Sequence, residues 1–283
     1  MVNLENEHIK LGIKTKGAEL SSIYHKKQQR EVLWQGHKTY WTGQAPILFP
    51  IVGELKNGKT QINGTEFKMT RHGFIKKMEA DEIIEHQTSA TFIFKSNTET
   101  LKQYPFEFTL KVTFEIDATC ITNSFEIENH GPNTMPFNIG GHPAFALDEN
   151  VENYCIVFEK EEKSSRHVLD QKGLYSKETI PMLNGNKLPL TKDIFNNDAL
   201  VFKDLKSNQV SIENNQGERL LQMDFKGWPY FGIWSKPNAP YVCLEPWIGC
   251  ADTFDASGEF TDKEELIHLS PNQSISFNFS IMA

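Results

Sequence analysis

Residues 106–114 read FEFTLKVTF, and apolar and polar side chains alternate along the whole stretch. This period of two is typical of a half-buried β-strand, in which successive side chains point to opposite faces of a sheet. Segments with turn-forming Asn-Gly or His-Gly-Pro separate such stretches, as in residues 56–59 and 129–132. The same alternation recurs in residues 7–13, 91–95, 121–127, 154–158, 210–212 and 274–279. The sequence therefore predicts an all-β protein, a large sandwich of antiparallel sheets forming a single domain over residues 1–283.

Composition narrows the classes of function. The 283 residues are 39% hydrophobic and include 20 Phe, which suffices for a sizeable core, and the formal net charge is -8. An acidic balance argues against nucleic-acid partners and against anionic membrane surfaces. We find no apolar leader and no apolar run long enough to span a membrane, so we expect a cytoplasmic protein, monomeric or homodimeric. The four cysteines form no CxxC pair, which predicts free thiols and no metal site: Cys120, Cys155, Cys243 and Cys250.

The most unusual stretch for function is residues 138–145, NIGGHPAF. Its two glycines allow close backbone approach or a positive φ, and Pro143 stiffens the segment and favours an extended His142. Phe145 contributes an aromatic ring that we expect on the same side as His142. A histidine titrates near neutral pH, so a rigidly held His142 is a candidate proton donor. A histidine in a turn or core, satisfied by backbone groups, is the alternative interpretation.

Three further segments break the strand pattern. Residues 70–74, TRHGF, place a fixed charge beside a titratable ring. Residues 242–247, VCLEPW, carry Glu245 inside an apolar run. Residues 196–202 bring Asp198 to the start of a strand. A carboxylate in an apolar run either marks a strand end or lines a pocket, where burial would raise its pKa towards that of a useful base. Asp198 could accept a hydrogen bond from a hydroxyl, but turn formation is the commoner explanation for Asn and Asp in such a position. Tryptophans near Glu245 would suit the apolar face of a sugar, although tryptophans are more often core residues: Trp228, Trp234 and Trp247.

Taken in order, these motifs resemble the aldose 1-epimerase (mutarotase) family, and more narrowly its LacX-like branch. The resemblance runs through residues 45–53 (APILFPIVG), 71–74, 140–145, 198–200 and 244–247, and so covers nearly the whole chain. It implies a large β-supersandwich, a small-molecule sugar as substrate and no cofactor. It also implies roles for individual residues. His142 matches the general acid, Glu245 the general base and His72 a second histidine on the ring-oxygen side. Asp198 matches a carboxylate that binds sugar hydroxyls, and Arg71, which is adjacent to the matching histidine, is a further candidate substrate contact.

The sequence departs from the galactose-specific members of the family at two places. An acidic residue stands near residues 53–55 where those members have an arginine, and Gly140-Gly141 replaces their threonine-asparagine pair. We therefore expect a hexose or hexose phosphate rather than galactose alone, with Arg71, helped by Lys56 or Lys76, holding a phosphate.

The chemistry suggested by these residues is general acid–base ring opening. With Glu245 ionised and His142 protonated, activity should rise through the glutamate pKa and fall through the histidine pKa. Two alternatives remain open at this point: a two-carboxylate glycosidase that uses Asp198 or Glu54, and a non-catalytic carbohydrate-binding or sensor protein.

Overall fold

The structure is a computed structural model that describes residues 1–147 and 150–283. The described strands are β1 (Val2–Glu5), β2 (Ile9–Ile13), β3 (Leu20–His25), β4 (Arg30–Glu31), β5 (Ile47–Leu48), β6 (Lys59–Ile62), β7 (Thr65–Lys68), β8 (Glu82–Glu85), β9 (Ser89–Lys95), β10 (Phe108–Asp117), β11 (Cys120–Asn129), β12 (Met135–Phe137), β13 (Ile139–Gly141), β14 (Ala144–Ala146), β15 (Tyr154–Leu169), β16 (Tyr175–Pro189), β17 (Leu200–Lys203), β18 (Gln209–Asn214), β19 (Arg219–Asp224), β20 (Tyr230–Trp234), β21 (Tyr241–Ile248), β22 (Ile267–Leu269) and β23 (Ser274–Met282).

In residues 1–147 and 150–283, helical structure is confined to short segments. They are α1 (Thr98–Leu101) and four 3-10 turns, at Lys56–Gly58, Ile75–Lys77, Val151–Asn153 and Phe260–Asp262. None of the helices in the described part of the chain is long and apolar enough to cross a membrane.

Fifteen of the described strands form one antiparallel sheet. Its order is β5-β13-β21-β20-β17-β15-β18-β19-β23-β11-β10-β9-β8, with β14 paired to β21 and β16 paired to β15. Each alternating segment identified in the sequence coincides with a strand over most or all of its length, so the prediction of an all-β antiparallel fold is confirmed.

The strand pair β10–β11 shows how alternation builds the core. The two strands pair over ten residues in register, from Phe108 opposite Asn129 to Asp117 opposite Cys120. On β10 the side chains at alternate positions, Phe108, Leu110, Val112 and Phe114, are buried in the main hydrophobic core. Each such side chain contributes roughly 1.5–3 kcal/mol when it is removed from water, so one strand face supplies a substantial share of the stabilising burial.

Strand β21 behaves differently because both of its faces are covered. All eight of its residues are buried, which explains why residues 241–248 read as an almost continuous apolar run. Val242 and Leu244 pack into the main core, whereas Trp247 belongs to a separate small cluster on the other face. Glu245 lies on the same face as Trp247, because residues two apart in a strand share a face.

A long hairpin stands beside this region. Strands β15 and β16 have 16 and 15 residues, and bulges interrupt their pairing at several points. The hairpin folds back so that Leu169 pairs with Tyr175, and Tyr175 in turn bridges to Thr253 near the end of β21. The hairpin therefore supplies a wall next to the Glu245 face of β21.

Candidate active site

A cavity of about 570 Å³ lies against the Glu245 face of strands β17, β20 and β21. This volume is within the range of roughly 300–1,000 Å³ that is usual for small-molecule sites. The wall opposite these strands comes from residues 41–46, residues 71–77 and the hairpin. The lining residues are Lys16, Glu19, Trp41, Thr42, Gly43, Pro46, Gly53, Arg71, His72, Lys76, Lys77, His142, Leu169, Gly173, Tyr175, Asp198, Ala199, Val201, Trp234, Glu245, Trp247 and Ala251.

Glu245 lies at the floor of this cavity in a row set by strand register. It is opposite Gly232 on β20, which is opposite Val201 on β17. Gly232 has no side chain for a steric reason, since a Cβ there would lie 2.9 Å from the Trp247 ring. The missing side chain leaves room for Trp247 and Glu245 side by side, and only 1% of Glu245 is exposed.

His142 reaches the same floor from the short link between β13 and β14, two strands that both pair with β21. The two preceding glycines serve close packing, because a Cβ on Gly140 would lie 2.6 Å from the Trp247 ring and one on Gly141 would lie 2.7 Å from the Phe279 ring. Neither glycine has a positive φ. Of the two reasons for glycine considered from the sequence, close approach is the one that applies here.

His142 and Glu245 form a close acid–base pair. Nε2 of His142 and Oε2 of Glu245 are 3.2 Å apart, but their orientation does not make a hydrogen bond, and His142 Nδ1 and Glu245 Oε2 have no partner in the described structure. Burial raises the pKa of Glu245 well above its usual value, and the negative charge of Asp198 acts in the same direction. Burial also lowers the pKa of His142 to about 3. The two environments thus separate the pKa values of neighbouring groups, a pattern found in acid–base sites.

His72 is held as a hydrogen-bond donor to the cavity. Its backbone φ is 65°, and its Nδ1 accepts a hydrogen bond of 3.1 Å from the Gly53 backbone N–H. In the neutral ring the proton must therefore reside on Nε2. Desolvation lowers the pKa of His72 well below its usual value, and the charges of His142 and Lys76 add to this effect. The ring lies edge-on to His142, with a centroid distance of 5.7 Å.

Arg71 and Asp198 also line the cavity, but both are partly engaged by the protein. Arg71 donates from Nε to Glu54 over 3.4 Å and from Nη2 to the Lys172 backbone carbonyl over 2.9 Å. Gly173 packs directly on this guanidinium, so Arg71 attaches the hairpin to the cavity wall. Asp198 has a φ of 69°, and its Oδ1 accepts a hydrogen bond from the Ala199 N–H.

Two sequence-based expectations about aromatic residues differ in outcome. Trp234 lines the cavity, with its ring 5.7 Å from that of His142. Phe145 does not, because its ring is fully buried in the main core. The expectation that it lies on the same side as His142 is wrong, since residues an odd number apart in an extended segment point to opposite faces. Trp228 is also a core residue, and its indole donates to the Asn278 carbonyl.

Sequence reasoning missed several lining residues. Trp41 packs on His142 with a centroid distance of 4.9 Å. Tyr175 comes from the hairpin, and its hydroxyl, like the Trp247 indole Nε1, is buried without a partner. Neither Trp41 nor Tyr175 has a distinctive sequence context, and their position depends on the packing of segments far apart in the chain.

One group of side chains has the spacing of a metal site. In the described chain, His142, Cys243 and Glu245 have ligand atoms within 4.8 Å of one another. Metals bind the thiolate form of cysteine. Here, however, burial raises the pKa of Cys243 well above its usual value, and the side chain packs in an apolar cluster with Trp34 and Tyr241. This environment favours a protonated thiol as a packing residue.

Comparison with known proteins agrees with the geometry. A family model described as aldose 1-epimerase matches residues 1–279. The chain belongs to the aldose 1-epimerase family. The predicted resemblance to this family is thereby confirmed, and it extends to the LacX-like branch: the plasmid-encoded protein LacX of Lactococcus lactis subsp. lactis is 33% identical over 284 residues, covering 95% of each chain.

Solved structures of similar proteins share the fold of this aldose 1-epimerase family member. The galactose mutarotase related enzyme from Lactobacillus acidophilus superposes with a TM-score of 0.94 at 32% identity, covering 99% of this chain and 96% of the other. A galactose mutarotase-like protein from Lactobacillus casei ATCC 334 also gives a TM-score of 0.94, at 27% identity, covering 100% and 99% of the two chains.

Proposed function

We propose that this protein is a cofactor-independent aldose 1-epimerase that interconverts the α and β anomers of a hexose or hexose phosphate. The observation that carries the proposal is a concentration of unpartnered polar atoms in one cavity. Among the described residues, seven buried side-chain polar atoms lack a hydrogen-bond partner, and four of them belong to the cavity lining: His142 Nδ1, Tyr175 Oη, Glu245 Oε2 and Trp247 Nε1. Such atoms are costly unless a ligand pairs with them.

A sugar is the ligand class that matches this set. Its hydroxyl groups both donate and accept hydrogen bonds, so one pyranose can pair with a carboxylate, an indole N–H and a phenol together. The aromatic rings of Trp41 and Trp234 stand at the same cavity and offer apolar faces for the C–H side of the ring. We infer that sugar contacts come from Trp234, Tyr175, Trp247, Asp198 and His72.

The proposed reaction needs two proton transfers and no redox change. Glu245 accepts the proton of the anomeric hydroxyl while His142 delivers a proton to the ring oxygen. The bond between C1 and the ring oxygen breaks, and C1 becomes an aldehyde carbon. Rotation about C1–C2 followed by the reverse transfers closes the ring on the other face. His72 would donate its Nε2–H near the ring oxygen.

The proton of the His142–Glu245 pair can reside on either residue. Desolvation favours the neutral form of each residue, and their mutual attraction at 3.2 Å favours the charged forms. A hydrogen bond from the anomeric hydroxyl to Glu245 stabilises its carboxylate, and therefore moves the proton of the pair towards His142. On this proposal, substrate binding itself prepares the acid and the base.

Polarimetry of freshly dissolved α-anomers tests the proposal. We expect optical rotation to reach equilibrium much faster with the protein than without it, in buffers from which divalent metals have been removed. Chromogenic nitrophenyl glycosides should release no phenol. Sugar binding without acceleration would support a binding or sensor protein instead, and phenol release would support a two-carboxylate glycosidase.

A further inference from the structure

One side of the cavity carries an unusual concentration of positive charge. Lys16, Lys76 and Lys77 all line it, although the chain as a whole has a net charge of -8. They meet there because two segments pack directly: the Gly17 N–H donates to the Met78 carbonyl, and a Cβ on Gly17 would lie 2.8 Å from the Lys76 Cα. We refer to these three residues as the lysine cluster.

No member of the lysine cluster forms an ion pair within the described part of the chain. Lys76 donates to the Arg71 backbone carbonyl over 2.7 Å, and Lys77 to the Thr70 hydroxyl over 3.3 Å. Lys76 is the most informative of the three, because burial lowers its pKa to about 8, with the charges of Lys77 and Arg71 adding to the effect. A half-buried ammonium group without a carboxylate partner is costly unless an anion is bound beside it.

The neighbouring acidic groups are engaged elsewhere. Glu19 pairs with Lys14 over 2.8 Å, Glu54 pairs with Arg71, and Glu79 accepts a hydrogen bond from the Thr15 hydroxyl. These contacts leave the lysine cluster as the electropositive wall of the cavity. They also show that Arg71, expected from the sequence to hold a phosphate, is already bonded to Glu54 and the Lys172 carbonyl. Lys56 is not part of the cavity, and its ammonium donates to the Ala256 carbonyl.

We propose that the lysine cluster, centred on Lys76, binds the phosphate of a phosphorylated hexose, so that a sugar phosphate is the preferred substrate. This inference rests on the function proposed above. A phosphate monoester carries nearly two negative charges and three terminal oxygens, which matches several ammonium groups better than the single charge of a sugar carboxylate does. Ring opening requires a free anomeric hydroxyl, so the phosphate must be on a carbon other than C1.

The first experiment compares substrates on the wild-type protein. Anomer exchange is measured by NMR for glucose, galactose, their 6-phosphates and glucuronate. We expect kcat/KM for a 6-phosphate to exceed that for its parent sugar by about tenfold or more, and to fall as salt is added, because ions screen charge attraction. The proposal would be overturned if neutral sugars exchanged anomers as fast as their 6-phosphates, or if glucuronate exchanged fastest.

The second experiment tests the residues. Lys76→Met should lower the ratio of kcat/KM for glucose 6-phosphate to that for glucose by about 10- to 100-fold, as expected for a lost charge-assisted hydrogen bond. Lys76→Arg keeps the charge and should restore most of the ratio, and Lys16→Ala/Lys77→Ala should lower it less. Lys102→Ala, which removes an exposed lysine paired with Glu99, is the matched control and should leave the ratio unchanged. An unchanged ratio in Lys76→Met would overturn the assignment.

Failure of the two proposals can be told apart. If no sugar shows accelerated exchange, the epimerase function is wrong. Calorimetry still tests the lysine cluster in that case: glucose 6-phosphate should bind more tightly than glucose, and Lys76→Met should remove the difference. Equal binding of both sugars to the wild-type protein would then refute the phosphate subsite as well.

Discussion

This protein contains two buried acid–base pairs that differ in how completely they are hydrogen-bonded. Lys263 and Asp252 are 2.8 Å apart with each side chain 4% exposed. Lys263 also donates to the Cys250 carbonyl, and the second oxygen of Asp252 accepts the Lys56 N–H. Every strong polar atom of this pair thus has a protein partner.

The pair of His142 and Glu245 is slightly farther apart, and its hydrogen bonding is incomplete. Its atoms are 3.2 Å apart, and both residues retain polar atoms without partners. Lys263 and Asp252 do not border the cavity, whereas His142 and Glu245 both line it.

The comparison indicates what each pair does. In a fully bonded ion pair, hydrogen bonds within the protein offset part of the desolvation cost. The pair of Lys263 and Asp252 therefore stabilises the loop that carries Ala251 at the cavity wall. In an incompletely bonded pair, the desolvation cost of the unpartnered atoms is offset when a ligand forms hydrogen bonds with them. We therefore expect substitutions at the first pair to change mainly stability and substitutions at the second to change mainly activity.

The largest effect is expected from Glu245→Gln. The substitution keeps the size of the side chain but removes the base, and should lower kcat by roughly 10²–10⁴-fold. The free energy of unfolding in urea should not fall, because the carboxyl that is lost is buried without a full set of partners. Glu99→Gln, at an exposed position of α1, is the matched control and should change neither quantity. A folded Glu245→Gln protein with near wild-type anomer exchange would refute the assignment and favour a binding protein.

His142→Asn should lower kcat by a comparable factor, roughly 10²-fold or more, through loss of the acid. Because the two residues act as a unit, the double variant with Glu245→Gln should lose little more activity than either single variant. Sugar binding measured by calorimetry should persist in all three. Fully additive losses would mean that the two residues act in separate steps.

At the other pair, Lys263→Met should destabilise the protein by about 3–5 kcal/mol, because it leaves the Asp252 carboxylate buried with one partner fewer. Urea unfolding measures this change. Lys177→Met is the control: Lys177 forms an ion pair with Asp255, but its side chain is 72% exposed, so the unfolding midpoint should not move. Equal effects at the two positions would show that burial does not distinguish them.

The smallest effect is expected from pH, and its sign follows from the two pKa shifts. The reactive state of the pair carries one proton. A second proton is added only as pH falls through the lowered pKa of His142, about 3, and the last proton leaves only as pH rises through the raised pKa of Glu245. We therefore expect kcat to fall by less than about threefold as pH is lowered from 6 to 4, and to fall on the alkaline side only as pH passes the raised pKa of Glu245.

This pH profile differs from the expectation based on ordinary pKa values, in which glutamate sets the acid limb and histidine the alkaline limb. Asp198 provides the sharper test. Its charge raises the pKa of Glu245, so Asp198→Asn should move the alkaline limb to lower pH. A wild-type rate that falls by half near pH 6.5 would mean that His142 titrates as an ordinary histidine.

Local sequence pattern predicts the strands and several members of the candidate site. Alternation is a local property, because it depends only on successive side chains pointing to opposite faces, and residues 106–114 therefore predict β10 without knowledge of its neighbours. The glycines before His142 and the carboxylate in the apolar run at Glu245 are local as well, and both residues line the cavity. The expectation for Phe145 is wrong because Phe145 lies three residues after His142, and alternation along an extended segment places the two side chains on opposite faces.

The contacts between distant residues could not be predicted from local pattern and are seen only in the folded protein. Strand order brings β17, β20 and β21 side by side, the long hairpin carries Tyr175 to the cavity, and packing of Gly17 on Lys76 gathers the lysine cluster. Lys56 and Lys76 were equivalent candidates in the sequence, and both lie in short 3-10 turns, yet only Lys76 faces the cavity. Contacts between segments far apart in the chain depend on sheet topology and on which groups remain unpaired. Neither property is encoded in the period of a single strand.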